Sequence, residues 1–373
     1  MLPNEQKDEQ FFHLALSFVK DVGPITGRAL LARFGSAENI FKANTKELKS
    51  VEGMGDVRAA AFKEKEVFIK AEQELNFCKK ENISIITLKE TNYPKRFLNC
   101  EDAPLLLYQK GDADLNVAKV VSIIGTRKNT DYGERCCEQL LTDLKDTKEI
   151  LIVSGLALGI DTIAHKHSIR NSLPTVGVLG HSLDSIYPAS NKSLAKEMTE
   201  KGGGLLTEFP SGTKPDKQNF PVRNRIVAGM SDVTVVVESD RKGGAMITAY
   251  IAQSYGREIA AFPGRIFDSK SDGPNHLILK NIASLITNAD ELLELMNWKE
   301  EGKLKKAVQP RLFEELLPEE MPLYDLMKQK DSVHTDELLL QSGYTNTLLA
   351  SILLQMELKG LVKALPGKNY RLN

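Results

Sequence analysis

The chain has 373 residues, with 49 Lys+Arg against 50 Asp+Glu, enough length for two or three domains with ample cores. Balanced charge excludes a polyanion-binding role based on overall basicity, so any such site must be a local patch. Four cysteines (Cys78, Cys100, Cys136, Cys137) form no CxxC pair and read as ordinary reduced thiols, not as a zinc site.

The N-terminal stretch MLPNEQKDEQFFHLALSFVKD is acidic and polar where a signal peptide would be basic and then apolar. No apolar run reaches membrane-spanning length. A soluble, cytoplasmic protein is the expectation. Residues 11 to 75 read as helices punctuated by two glycine turns, VGPITGRALLARFG and VEGMGDVRAAAF. Glycine permits φ > 0 in such a turn, and the helix that follows offers unpaired N–H groups able to hold a phosphate. The pattern resembles helix-hairpin-helix modules that grip the nucleic-acid backbone. A small helical bundle whose turns merely need glycine is the alternative.

From about residue 83 the period changes. ISIITL, LLLYQ, KVVSIIG, EILIVSG, TVGVLG, GLLTE, DVTVVVES and REIAAFPG are short β-branched apolar runs, and amphipathic segments such as YGERCCEQLLTDLKD separate most of them. Alternation of this kind predicts a parallel sheet covered on both faces, with ligands collecting at the carboxyl ends of the strands. Residues 299–318, in the charged stretch KEEGKLKKAVQPRLFEELLPEE, read as a linker. Residues 319–373 hold three helical stretches and LVKALPGKNYRL, a hairpin with Pro-Gly at its turn, which together read as a winged helix-turn-helix. Its third helix, in TNTLLASILLQMELKG, carries one Lys and no Arg. A protein-contact or regulatory role is at least as well supported there as DNA reading.

Four strand ends of the central domain carry small or polar residues: IIGTRKNTDYG, SGLALGIDTIAH, LGHSLDSIYPASN and ESDRKGGAMITAY. Ser154 and Gly155 end one strand, Gly159 precedes the next helix, and Asp161 falls in its first turn, a geometry that lets backbone N–H groups approach an anion. Arg127 follows the first turn. Arg223 and Arg225, around Asn224, lie at the start of a helix opened by Pro221. Three guanidiniums converging on one sheet edge would form a polyanion groove, helped by Gly243, Gly244 and Lys217. Phe220 reads either as a base-stacking ring or as a core residue.

No GxxxxGK[ST] occurs, and the first turn, GTRKNT, lacks GxGxxG, so neither a P-loop nor a dinucleotide cofactor is supported. His165 and His167 sit two positions apart and would point to different faces of a helix, which makes a poor chelate. They read with Asp161 as a polar cap and a surface residue, with no metal. Asp184, near Tyr187 and Pro188, reads as a loop-fixing carboxylate without an acid–base partner.

These segments, with GGGLLTEFPSG and NFPVRNRIVAGMS, run in the order found in the DNA-processing protein A (Smf) family, which the chain closely resembles over roughly residues 90 to 290. The resemblance implies an α/β fold: an extended Rossmann-like sheet domain (81–298), an N-terminal SAM-like or helix-hairpin-helix domain (1–80) and a C-terminal winged helix (319–373). It implies a non-enzymatic protein without a cofactor that binds single-stranded DNA, dimerises through the Rossmann-like domain and loads the RecA recombinase during natural transformation. Carried across by motif, the DNA pocket comprises Arg127, Ser154, Gly155, Arg223, Asn224, Arg225, Gly243 and Gly244, with Lys217 beside them. HSLD and GGAMIT depart from the family's more glycine-rich turn and its SGSLIT. The alternative function is a nucleotide hydrolase of the lysine-decarboxylase-like group, which also uses a Gly-Gly turn but follows it with a catalytic Glu. Here Thr248, Ala249 and Tyr250 stand there instead, so the general base is missing.

Overall fold

The computed structural model describes residues 9–299, 316–328, 330, 332–359, 361–365 and 369–372. The polar start at 1–8, linker positions 300–315 and the expected Pro366-Gly367 turn lie outside the described residues. The chain divides into two compact units, 1–299 and 300–373.

The first unit begins with helices α1 (Glu9–Ser17), α2 (Pro24–Phe34), α3 (Ala37–Lys42), α4 (Thr45–Lys49), α5 (Asp56–Ala61) and α6 (Lys65–Lys80). Gly23 and Gly55 are the N-cap residues of α2 and α5, neither with a side-chain cap. Asn44 closes a capping box with Glu47 at the start of α4. The strands follow: β1 (Ser84–Thr87), β2 (Leu106–Gly111), β3 (Lys119–Ile124), β4 (Ile150–Ser154), β5 (Thr175–Val178), β6 (Gly204–Thr207), β7 (Val233–Val236), β8 (Glu258–Ala261) and β9 (Ser284–Leu285). Between and after them run α7 (Asp131–Asp143), α8 (Ile160–Arg170), α9 (Lys192–Glu200), α10 (Asn219–Gly229), α11 (Gly244–Ser254), α12 (Asp272–Leu279) and α13 (Ala289–Leu295).

The nine strands form one sheet in the order β1-β2-β6-β5-β4-β3-β7-β8-β9. β6 through β9 in that order are parallel, while β2 runs antiparallel to both β1 and β6. Successive residues of the central strands divide between two cores: Val120, Leu151 and Val153 pack with α10 and α11, Val121, Ile150 and Ile152 with α7 and α8. Strands buried on both faces read as continuous apolar runs, which is why they were visible in the sequence. A third core joins Phe11, Leu14 and Ala71 of α1 and α6 to Leu106, Tyr108 and Leu205 of the sheet, so the N-terminal helices are packed onto its β1–β2 end.

The second unit holds α14 (Met321–Lys328), β10 (Val333–His334), α15 (Thr335–Ser342), α16 (Asn346–Leu358), β11 (Val362–Leu365) and β12 (Asn369–Leu372). Gly343, at φ 69, ends α15 in the left-handed region, and Thr345 caps α16, the residue types those positions favour. Leu323, Leu338, Leu349, Ile352, Leu353 and Val362 make its core under a β10-β12-β11 sheet. Among the described residues no helix is long and apolar enough to cross a membrane.

Candidate nucleic-acid interface

β3 lies between β4 and β7, so the loops leaving these three parallel strands open at one sheet edge. They surround a cleft of about 510 Å³ lined by Gly125, Thr126, Arg127, Gly155, Asp161, Lys217, Phe220, Arg223, Asn224, Ser239, Asp240, Gly243, Gly244 and Thr248, among others. Glu238, 2% exposed, gathers the β3 loop: its carbonyl accepts from Thr126 N–H (2.7 Å) and its carboxylate from Thr130 N–H (2.9 Å) and the Thr130 hydroxyl. Gly159 has φ 77, and a Cβ there would run into the Thr126 and Arg127 backbone. The β3 and β4 loops therefore meet without intervening side chains.

Arg223 forms the floor. Its Nη1 donates to the carbonyls of Gly155 and Val178, and its Nε to Asn224 Oδ1 (3.2 Å). A Cβ at residue 155 would collide with this guanidinium, which is the local reason for glycine there. Burial pulls Arg223 down to about 10, so it remains charged at neutral pH. Asp161 accepts from Gly155 N–H (3.2 Å) and Ala157 N–H (3.4 Å). Burial pushes its carboxyl up, and the Arg223 charge opposes that shift. Arg127 and Lys217 are exposed. Gly243 is the N-cap of α11, and Gly244 has open space over its Cα, so the first-turn amides of α11 can be reached by an anion.

Arg127, Gly155, Lys217, Arg223, Asn224, Gly243 and Gly244 are thus brought together. Ser154 and Arg225, expected with them, are not. Ser154 is fully buried and its hydroxyl donates to Ile123 O (2.6 Å), tying β4 to β3. Arg225 leaves the other side of α10, where it pairs with the Glu208 carboxylate and donates to Asp102 O. The histidines also differ from expectation, both being buried. The Thr175 hydroxyl gives its proton to Ile152 O (3.0 Å), so it accepts from His165 Nδ1–H (2.7 Å). Burial, and then Arg223, hold His165 down at about 3. His167 lies 3.6 Å from Glu138.

One wall is aromatic. The Arg127 guanidinium sits 5.1 Å over the Phe220 ring, and Tyr187 stacks on Phe220 with centroids 6.2 Å apart. Tyr187, which sequence reasoning did not place in the site, is 50% exposed and with Phe220, His181 and Gly180 lines a smaller recess beside the cleft. Its only signal was proximity to Asp184 in the same loop. Asp184 does fix that loop, accepting from the Ser182 hydroxyl (2.5 Å) and Gly212 N–H (2.8 Å). Cations, helix-terminal amides and stacked π-faces on one edge can hold phosphates and bases of an extended strand without reading sequence.

Known proteins match both compact units of the chain. Residues 84–297 match the family model described as DNA recombination-mediator protein A, and residues 309–368 match the DprA winged helix domain. The DNA processing protein DprA of Bacillus subtilis is 35% identical over 281 residues, 73% of this chain and 92% of that one. Protein Smf of Escherichia coli is 32% identical over 305 residues, covering 81% and 80%. Among solved structures, DprA from Streptococcus pneumoniae superposes with a TM-score of 0.65 at 30% identity, over 78% of this chain and 98% of that chain. DNA processing protein A from Helicobacter pylori, described in terms of its single-stranded DNA binding mode, gives 0.52 at 33% identity, over 58% and 97%.

Proposed function

The chain belongs to the DNA recombination-mediator protein A family, and from that premise we propose that its cleft binds single-stranded DNA and that the protein is a non-enzymatic mediator. On this reading it protects incoming strands and loads the RecA recombinase onto them during natural transformation, in the cytoplasm. The observation that carries the reading is the cleft itself, where Arg127, Lys217 and Arg223 border the α11 N-terminus beside the Phe220 ring. Such a surface suits a sugar-phosphate strand with accessible bases.

The carboxylates lining the cleft are already in use by the protein's own structure: Asp161 is engaged by two amides, and Asp240 pairs with Lys270 at 2.6 Å. Pairing of two copies through the Rossmann-like domain is part of the proposal. It is supported by the adjacent Ile266 (82% exposed) and Phe267 (93%) after β8, since exposed apolar surface is where interaction sites are found.

Fluorescence anisotropy with labelled oligo-dT tests the proposal. Wild type binds, and replacing Arg127 and Lys217 together by Ala weakens binding about tenfold or more at physiological salt. Affinity unchanged within about twofold would reject the cleft as the site.

A further inference from the structure

Glu74 lies on α6 and is 4% exposed. Its Oε1 accepts the Ser211 N–H (2.9 Å) and its Oε2 the Ser211 hydroxyl (2.5 Å). These two bonds satisfy polar atoms that would be costly to leave unpaired in the interior. Ser211 begins a three-residue anchor. Gly212 N–H donates to Asp184 Oδ2 (2.8 Å), and Thr213 O accepts from Ser182 N–H (3.1 Å). Beyond the anchor, Lys214, Asp216, Lys217 and Gln218 are exposed, and the chain then enters α10 with Phe220 in its first turn. Gly180, in the loop that carries Ser182 and Asp184, lies against Asn219 and Phe220.

We propose that Glu74 is a positioning residue for the single-strand site: by clamping Ser211, the N-terminal helical segment presents Lys217 and Phe220 at the cleft in their binding geometry. The inference rests on the cleft being the DNA site. α6 then contributes to affinity through a pre-ordered rim, which lowers the ordering cost of binding, without touching a phosphate itself.

Glu74→Ala, Glu74→Gln, Ser211→Ala, Lys217→Ala, Arg127→Ala and the Glu74→Ala/Lys217→Ala double variant of the 373-residue chain test this by two readouts, amide exchange of residues 212–218 without DNA and affinity for oligo-dT. In Glu74→Ala the rim amides exchange faster and affinity falls about three- to tenfold. Glu74→Gln, which can still accept the Ser211 N–H, stays near wild type. Ser211→Ala, which keeps its N–H, shows a smaller change in both readouts and covers the case in which Glu74→Ala fails to fold. The double variant loses less than the product of its single losses, because both act through the same rim. Multiplying losses, wild-type affinity in Glu74→Ala, or exchange and affinity both unchanged in Ser211→Ala would overturn the inference. If Lys217→Ala and Arg127→Ala also bind like wild type, the reading of the cleft fails and takes this inference with it. If they weaken binding and Glu74→Ala does not, the inference alone fails.

Discussion

Arg223 and Arg225 are two positions apart on α10, so their side chains leave the helix about 200° apart. One therefore meets the cleft and the other the opposite side. Arg225 and Glu208 have side chains only 10% and 14% exposed, and Tyr255 steadies the Asp102 end of the cluster through a 2.5 Å hydrogen bond. Removing one partner of such a pair leaves an uncompensated buried charge. Arg225→Ala is expected to lower stability by about 3 kcal/mol or more, seen as a lower urea midpoint, while folded protein keeps wild-type affinity for oligo-dT. Unchanged stability with lost affinity would return Arg225 to the DNA site. The rule that separates these arginines is the one that argues against His165 and His167 as a chelate, so their divergence was legible in PVRNR. The partner was not: Glu208 lies 17 residues upstream and Asp102 lies 123 upstream, and no local pattern announces such pairings.

At the scale of elements, all eight apolar runs became strands, because residues buried on both faces leave little room for polar alternation. The antiparallel setting of β1 and β2 was not legible, since strand direction depends on connections and not on composition. β9 has two residues, too few for any period. α10 starts at Asn219, ahead of Pro221, which moves both arginines away from the very mouth of the helix. The winged helix was legible from its turns, and α16 bears out its poverty in cations: no Lys or Arg occurs from Ser332 to Leu358, while Leu340, Leu354 and Leu358 are 86%, 58% and 80% exposed. A helix without cations gains little from phosphate. Removal of residues 300–373 is therefore expected to leave oligo-dT affinity within about twofold of wild type in the anisotropy titration. A loss beyond tenfold would make the winged helix a DNA-binding module.

At the scale of the whole molecule, a formal net charge of -1 provides no long-range attraction for a polyanion. On the proposed reading, binding comes from the cations local to the edge shared by β4, β3 and β7, while several carboxylates are spent on structure: Glu208 on Arg225, Asp232 on Arg96, and Glu238 on the β3 loop. The direct measurement of that claim is the dependence of oligo-dT affinity on salt concentration, compared between wild type and Arg127→Ala/Lys217→Ala. If two phosphate contacts are lost, the slope of log K against log salt becomes shallower by about 1.4. An identical slope in the two proteins would mean that the strand, if bound at all, lies somewhere other than this cleft.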